Sequence, residues 1–147
     1  MTTCRKTVGC TALLLLAAMM AIVFAGCSKI KAGTYYYCST NGNIVHILDD
    51  KYCDVAMTPV KGSAENMVFK NCTYTVDGDK MTVVIPLGSI KTQSVQNTLQ
   101  DIVLNYNITD SGKKISESGS GSEYSIISES EYNAILSRNK SNTLDLK

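Results

Sequence analysis

His46 is the only imidazole in the chain of 147 residues, so acid–base chemistry would have to be built around it. A nucleophilic triad needs a base beside a thiol or hydroxyl, and a third group that orients the base. Cys38 and Cys53 are the thiols nearest to His46 in sequence, and either could approach it. In a strand, however, His46 would share its face with Ile44 and Leu48, which favours a partly buried structural histidine. We therefore predict a protein without enzymatic activity.

Ligands for metals are equally sparse. Zinc sites need clustered Cys and His at short spacings, whereas Cys38, Cys53 and Cys72 are separated by 15 and 19 residues. The acidic pairs Asp49-Asp50 and Asp77-Gly78-Asp79 read as tight turns, in which Asp side chains bond their own backbone. A calcium loop needs more oxygen ligands at defined offsets. The sequence predicts neither a metal nor a cofactor.

The N-terminus has the three parts of an export signal. Arg5 and Lys6 form a basic n-region, and residues 11–24 form an apolar stretch in the length range of an h-region. The motif Phe24-Ala25-Gly26-Cys27 follows. It resembles the lipobox of bacterial lipoproteins, in which signal peptidase II cuts before a Cys that receives the lipid.

The resemblance implies that residues 1–26 are a cleaved signal peptide and that Cys27 carries diacylglyceryl and palmitate-type chains. Phe24 stands where Leu is usual. Ser28 implies, in a Gram-negative cell, sorting to the outer membrane on its periplasmic face. An uncleaved transmembrane anchor is the alternative, but the strongly apolar core is shorter than the ~20 residues that cross a bilayer.

The mature chain is close to neutral. Cleavage would remove Arg5 and Lys6 from the 14 basic residues and leave all 13 acidic ones. A nucleic-acid binder would carry basic residues clustered on one face. A protein that binds the membrane surface electrostatically would carry a polybasic segment. We therefore predict no nucleic-acid partner, and contact with the membrane through the lipid on Cys27.

Six cysteines give an even count, but not all of them can pair. Three are lost or modified at the N-terminus: Cys4, Cys10 and Cys27. The other three lie in a compartment that favours oxidation. A hairpin that pairs Met57 with Val68 puts Cys53 opposite Cys72, within the distance that a bridge requires. We predict the bridge Cys53–Cys72, with a bridge involving Cys38 as the alternative.

Turn sequences recur along the mature chain at a spacing that suits strands. The predicted strands cover residues 34–38, 44–48, 52–57, 67–76, 81–85, 101–108 and 124–127. The clearest hairpin turns at Asp77-Gly78, and residues 116–122 are predicted to form a loop before the last strand. The pattern indicates a mainly β domain, an antiparallel meander or small barrel of about seven to eight strands.

The pattern changes after residue 127. Ser128 and Glu131 have the spacing of a capping box, and Tyr132, Ile135 and Leu136 share one face of the short C-terminal helix that would follow. The predicted organisation is a signal peptide at 1–26, a lipidated tether at 27–33, a β domain with its helix at 34–139 and a flexible tail at 140–147.

Two segments resemble the small lipocalin-like domains of bacterial lipoproteins. These domains open with Gly-x-aromatic, as in Gly33-Thr34-Tyr35, and repeat hairpins of the kind seen in residues 74–83. The chain lacks the Trp that usually follows the opening Gly, and residues 91–100 are unusually polar. The resemblance implies a small β-barrel, and it is compatible with a function as a carrier of a small hydrophobic ligand.

Tyr35-Tyr36-Tyr37 is the most distinctive candidate for a partner surface. In a strand Tyr35 and Tyr37 face one way and Tyr36 the other, and tyrosine is enriched at protein interfaces. We therefore predict an envelope lipoprotein that acts as a non-enzymatic, protein-binding accessory module. The alternative function is a lipocalin-like carrier of a hydrophobic ligand.

Overall fold

The computed structural model of the protein describes residues 30–59, 65–89 and 99–146. The strands are β1 (Tyr35–Tyr37), β2 (Ile44–Ile47), β3 (Tyr52–Met57), β4 (Asn66–Asp77), β5 (Lys80–Ile85), β6 (Ile102–Thr109), β7 (Lys114–Glu117), β8 (Glu123–Ile127) and β9 (Ser141–Asp145). One α-helix, α1 (Glu129–Leu136), lies within the described residues, together with two short 3₁₀ turns. The mainly β class with a short C-terminal helix is confirmed.

Eight of these strands close into an antiparallel barrel. Each strand from β1 to β7 pairs with the strand that follows it, and β8 pairs back with β1, which completes the ring. Successive connections alternate between the two ends of the barrel. We call the end that carries the turns 48–51, 78–79 and 110–113 the tether end, and the end that carries the loops 38–43 and 118–122 the far end.

The seven predicted strands all form, with small differences at their ends. The strand β7 was missed, and it takes up part of the predicted loop 116–122. Of its four residues only Ile115 is buried in the core, so its sequence lacks the apolar alternation that predicts a strand. β7 is stabilised by its backbone pairing with β6 and β8, and its own sequence does not predict a strand.

Inward-facing side chains fill the barrel. Three tyrosines, Tyr36, Tyr106 and Tyr124, are the largest of its fully buried residues. The rings of Tyr106 and Tyr124 meet edge to face, with centroids 5.3 Å apart, an arrangement that aromatic quadrupoles favour. The Tyr36 hydroxyl donates to the Gly112 carbonyl at 2.5 Å, so this buried polar group is satisfied across the barrel.

A bulge in β4 sets the register opposite β3. Met57 pairs with Met67, one residue away from the predicted partner Val68, yet Cys53 still pairs with Cys72. The extra residue is Asn71, whose φ of 60° lies in the left-handed region that Asn tolerates better than most residues. The prediction that Cys53 lies opposite Cys72 is therefore confirmed, but the straight ladder from which it was derived is wrong.

The helix α1 covers the outer wall of β1 to β4. Its N-cap is the predicted capping box: the Ser128 side chain accepts from the Glu131 amide, and the Glu131 carboxylate accepts from the Ser128 amide at 2.8 Å. Ile135 packs with a buried outer cluster completed by Ile44, Ala56 and Val68. The predicted helix face, Tyr132 with Ile135 and Leu136, is the face that packs.

The first and the last described segments differ from the predicted organisation. Ile30, predicted to lie in the tether at 27–33, is only 4% exposed and belongs to the barrel core. Residues 141–145, expected in a flexible tail, form β9, which runs parallel to the first half of β4. Leu144 lies opposite Phe69 and packs against the same core. Both segments are held in place because they bury apolar side chains against the core. The local sequence pattern does not reveal this burial.

Candidate functional site

The tyrosine triplet divides between the two sides of the barrel wall. Tyr36 is fully buried in the core, so its assignment to a partner surface was wrong. Tyr35 and Tyr37 face outward and are half-buried. Tyr37 packs against the outer cluster beneath α1. Of the three tyrosines, only Tyr35 therefore remains as a candidate for a partner surface.

Tyr35, His46 and Tyr132 form a continuous aromatic group on the outer wall, which we call the tyrosine–histidine surface. Tyr35 and His46 are directly paired on β1 and β2. Their rings stack with centroids 4.0 Å apart and planes 10° from parallel. Tyr132 of α1 lies against both, with its ring centroid 4.8 Å from Tyr35 and 5.9 Å from His46. The group thus joins the sheet to the helix.

Asp54 supports this surface from β3. It pairs with His46 in register, and its Oδ2 lies 4.0 Å from His46 Nδ1. Its Oδ1 accepts from the Asn71 amide at 3.0 Å, which satisfies the donor that the bulge would otherwise leave unpaired. One buried carboxylate therefore ties the bulge to the only histidine.

Burial and charge act on His46 in opposite directions. Burial lowers the pKa of His46 below its usual value and outweighs Asp54 and Glu129, which raise it. Burial also raises the pKa of Tyr132 to about 12. Around neutral pH the surface therefore presents an uncharged imidazole between two uncharged phenols, and its character is amphipathic and aromatic.

The geometry separates His46 from the thiols. His46 lies outside the wall, whereas Cys38, Cys53 and Cys72 all belong to the interior core. Burial raises the pKa of the Cys53 thiol strongly and that of Cys72 to about 12. Neither thiol has the low pKa of a reactive nucleophile. The Cys–His pair considered from the sequence is not assembled.

The three cysteines within the described residues, Cys38, Cys53 and Cys72, are free thiols in this structure, so the predicted Cys53–Cys72 bridge is not formed in it. Cys53 and Cys72 lie opposite each other on β3 and β4, and partners across an antiparallel ladder have Cα atoms ~4.5–5.5 Å apart. That spacing is within the range of a disulfide. Cys38, the alternative partner, has no thiol opposite it in the register of β1 and β2, which ends at Tyr37.

A cleft of about 130 Å³ lies where the end of α1 meets the far end of the barrel. Its lining is mainly polar and consists of Tyr37, Thr58, Pro59, Ile135, Arg138 and Asn139. The cleft is small for an organic ligand, since typical ligand pockets measure ~300–1,000 Å³.

Sequence reasoning singled out Tyr35 and His46 separately but missed Asp54 and Tyr132 as their partners. Alternation along β3 would have placed Asp54 on the outer face, but only the barrel register brings it to His46. Among the described residues no three His, Cys, Asp or Glu side chains converge as a metal site would require.

The predicted signal peptide, with Cys4 and Cys10, and the predicted lipidation site Cys27 lie outside the described residues. Within the described ranges, no helix has both the length and the apolar character needed to cross a bilayer. Comparisons with protein-family models, with curated proteins and with solved structures found no match to this chain.

Proposed function

We propose that this chain is a lipid-anchored protein of a bacterial envelope that binds a protein partner without catalysing a reaction. The observation that carries the anchor is Phe24-Ala25-Gly26-Cys27 behind a basic and then an apolar segment. Three acyl chains on Cys27 would hold the protein permanently, since each buried methylene contributes ~0.8 kcal/mol. In a Gram-negative cell it would sit on the periplasmic face of the outer membrane.

Intact-mass analysis of the protein purified from membranes tests the anchor. The expected result is a chain that begins at Cys27 and carries added acyl mass. In a Cys27→Ala variant the protein should leave the membrane fraction. An unmodified chain that begins at Met1 would contradict the proposal.

The tyrosine–histidine surface supports the binding role. Tyrosine combines a large contact area with a low entropic cost and a polar tip, which is why it is enriched at interfaces. Here three rings are fixed against one another before any partner arrives, so less freedom is lost on binding. Both Tyr35 and Tyr132 remain partly exposed.

Site-specific crosslinking in intact cells tests this role. Benzoylphenylalanine at position 35 or 132 should capture the same protein, and the matched control at Val103, 53% exposed on β6, should not. A His46→Phe variant keeps an aromatic ring in the stack and should retain the crosslink. Equal capture from position 103 would contradict the assignment of the surface.

The alternative function, a carrier of a hydrophobic ligand, would need an unfilled interior. The three buried tyrosines and their neighbours occupy the described part of the barrel, which weighs against it. Unchanged fluorescence of a hydrophobic dye on addition of the protein is the expected result.

We also propose that Cys53 and Cys72 are bridged when the protein resides in an oxidising envelope. The two thiols lose two protons and two electrons, and the acceptor is an external disulfide, which is reduced to two thiols. The direct pairing of the residues supports this bridge over one that involves Cys38.

A further inference from the structure

We infer that the barrel stands on the membrane with its tether end against the lipid headgroups and its far end directed into the aqueous compartment. This inference rests on the proposed lipidation of Cys27. It adds a specific lipid-facing surface, and it decides which parts of the barrel a partner can reach.

The position of Ile30 carries the inference. Ile30 is 4% exposed and packs into the barrel core. The backbone just after it is fixed to β2, because the Gly33 amide donates to Ile47 at 2.8 Å and the Ile47 amide donates to Thr34 at 2.9 Å. Since β2 enters the turn 48–51 directly after Ile47, these contacts hold the N-terminal segment at the tether end.

The covalent distance to the lipid is short. Only three peptide steps separate Cys27 from Ile30, and even a fully extended chain spans at most ~3.6 Å per residue. The acylated sulfur is therefore attached within roughly 11 Å of the tether end. Because the chain is already docked at Ile30, the residues after it do not lengthen the tether that was predicted at 27–33.

The far end lies much further away. β6 has eight residues, and at ~3.3 Å per residue with a strand tilt of about 40° it spans roughly 20 Å of barrel height. A tether that reaches roughly 11 Å cannot bring the far end to the headgroups while Ile30 remains docked. The tether length thus excludes the inverted orientation.

Charge does not set the orientation. The turns of the tether end carry both signs, with Lys51, Lys80 and Lys113 close to Asp49, Asp50, Asp77, Asp79 and Asp110. Two partly exposed apolar residues, Val76 (37%) and Ile126 (48%), lie one residue before the ends of β4 and β8 at this end. We therefore expect the orientation to persist at high salt and on uncharged lipid.

The chain contains no Trp, so single introduced tryptophans report on the orientation without background. The lipidated protein would be reconstituted into phosphatidylcholine vesicles that contain dansyl-labelled phosphatidylethanolamine as the energy acceptor. Three exposed positions serve as donors: Asp50→Trp at the tether end, Thr40→Trp at the far end and Val103→Trp on the side wall. Because energy transfer to a layer of acceptors falls steeply with distance, and the two ends lie roughly 20 Å apart along the barrel, transfer from position 50 should exceed that from position 40 at least about threefold.

Equal transfer from positions 50 and 40, or greater transfer from position 40, would overturn the orientation while leaving the anchor intact. Transfer from position 103 as strong as from position 50 would mean that the barrel lies on its side, which would also overturn it. A flexible Gly-Ser insertion of about ten residues after Ser28 is the matched control, and it should weaken the signal at position 50. Absence of acyl mass on Cys27 would overturn the anchor and the orientation together.

Discussion

Oxidation of Cys53 and Cys72 should stabilise the protein by about 3 kcal/mol. The two residues lie 19 apart in sequence, and closing a loop of that size in the unfolded chain accounts for a gain of this magnitude. Because the two residues already face each other across β3 and β4, the native state needs little rearrangement to accept the bond.

Urea unfolding of the mature chain with Cys27→Ala measures this gain directly. For a domain of this size, 3 kcal/mol corresponds to a shift of the midpoint by roughly 2 M urea between the oxidised and reduced forms. Cys72→Ala should abolish the difference between the two forms. Cys38→Ala should preserve it, although it lowers the stability of both forms because Cys38 is buried.

The rate of oxidation provides a second test of the bridge between Cys53 and Cys72. Burial raises the pKa of both thiols, and only a thiolate attacks a disulfide. Bridge formation in the folded protein should therefore be slow, and it should accelerate in urea below the unfolding midpoint. Three free thiols after refolding with an oxidant would refute the bridge, and loss of the effect in Cys38→Ala would identify the wrong pair.

Three further predictions test the fold and the surface. Gly42→Ala should cost at least about 2 kcal/mol more than Gly78→Ala: both residues have positive φ, but a Cβ at Gly42 would lie 2.0 Å from the Thr58 carbonyl oxygen, whereas Gly78 is unobstructed. Urea midpoints that shift equally would refute the close approach. Leu144→Ala should cost about 1–2 kcal/mol in the same assay, and no loss would mean that residues 140–147 are the flexible tail after all. Because the pKa of His46 is lowered on folding, protonation favours the unfolded chain, and stability should fall as pH drops below the unfolded value of about 6.5; His46→Phe should reduce this loss, and an unchanged pH profile would contradict the burial of the imidazole.

The proposed location and the tyrosine–histidine surface depend on different kinds of information. The location is a prediction from one contiguous segment, Phe24-Ala25-Gly26-Cys27, because a peptidase of the predicted kind would recognise neighbouring residues. The tyrosine–histidine surface depends instead on three elements, β1, β2 and α1, that meet only when the barrel has closed.

The strands with clear alternation, the hairpin at Asp77-Gly78 and the capped helix were predictable from the residues alone, because each is specified by neighbours within a few residues. The closure of the ring, the strands β7 and β9 and the docking of Ile30 were not. These features depend on hydrogen-bond partners and apolar area supplied by distant segments. The bulge at Asn71 has the same origin: a single extra residue is invisible in a strand pattern, but it sets which side chains face each other across the wall.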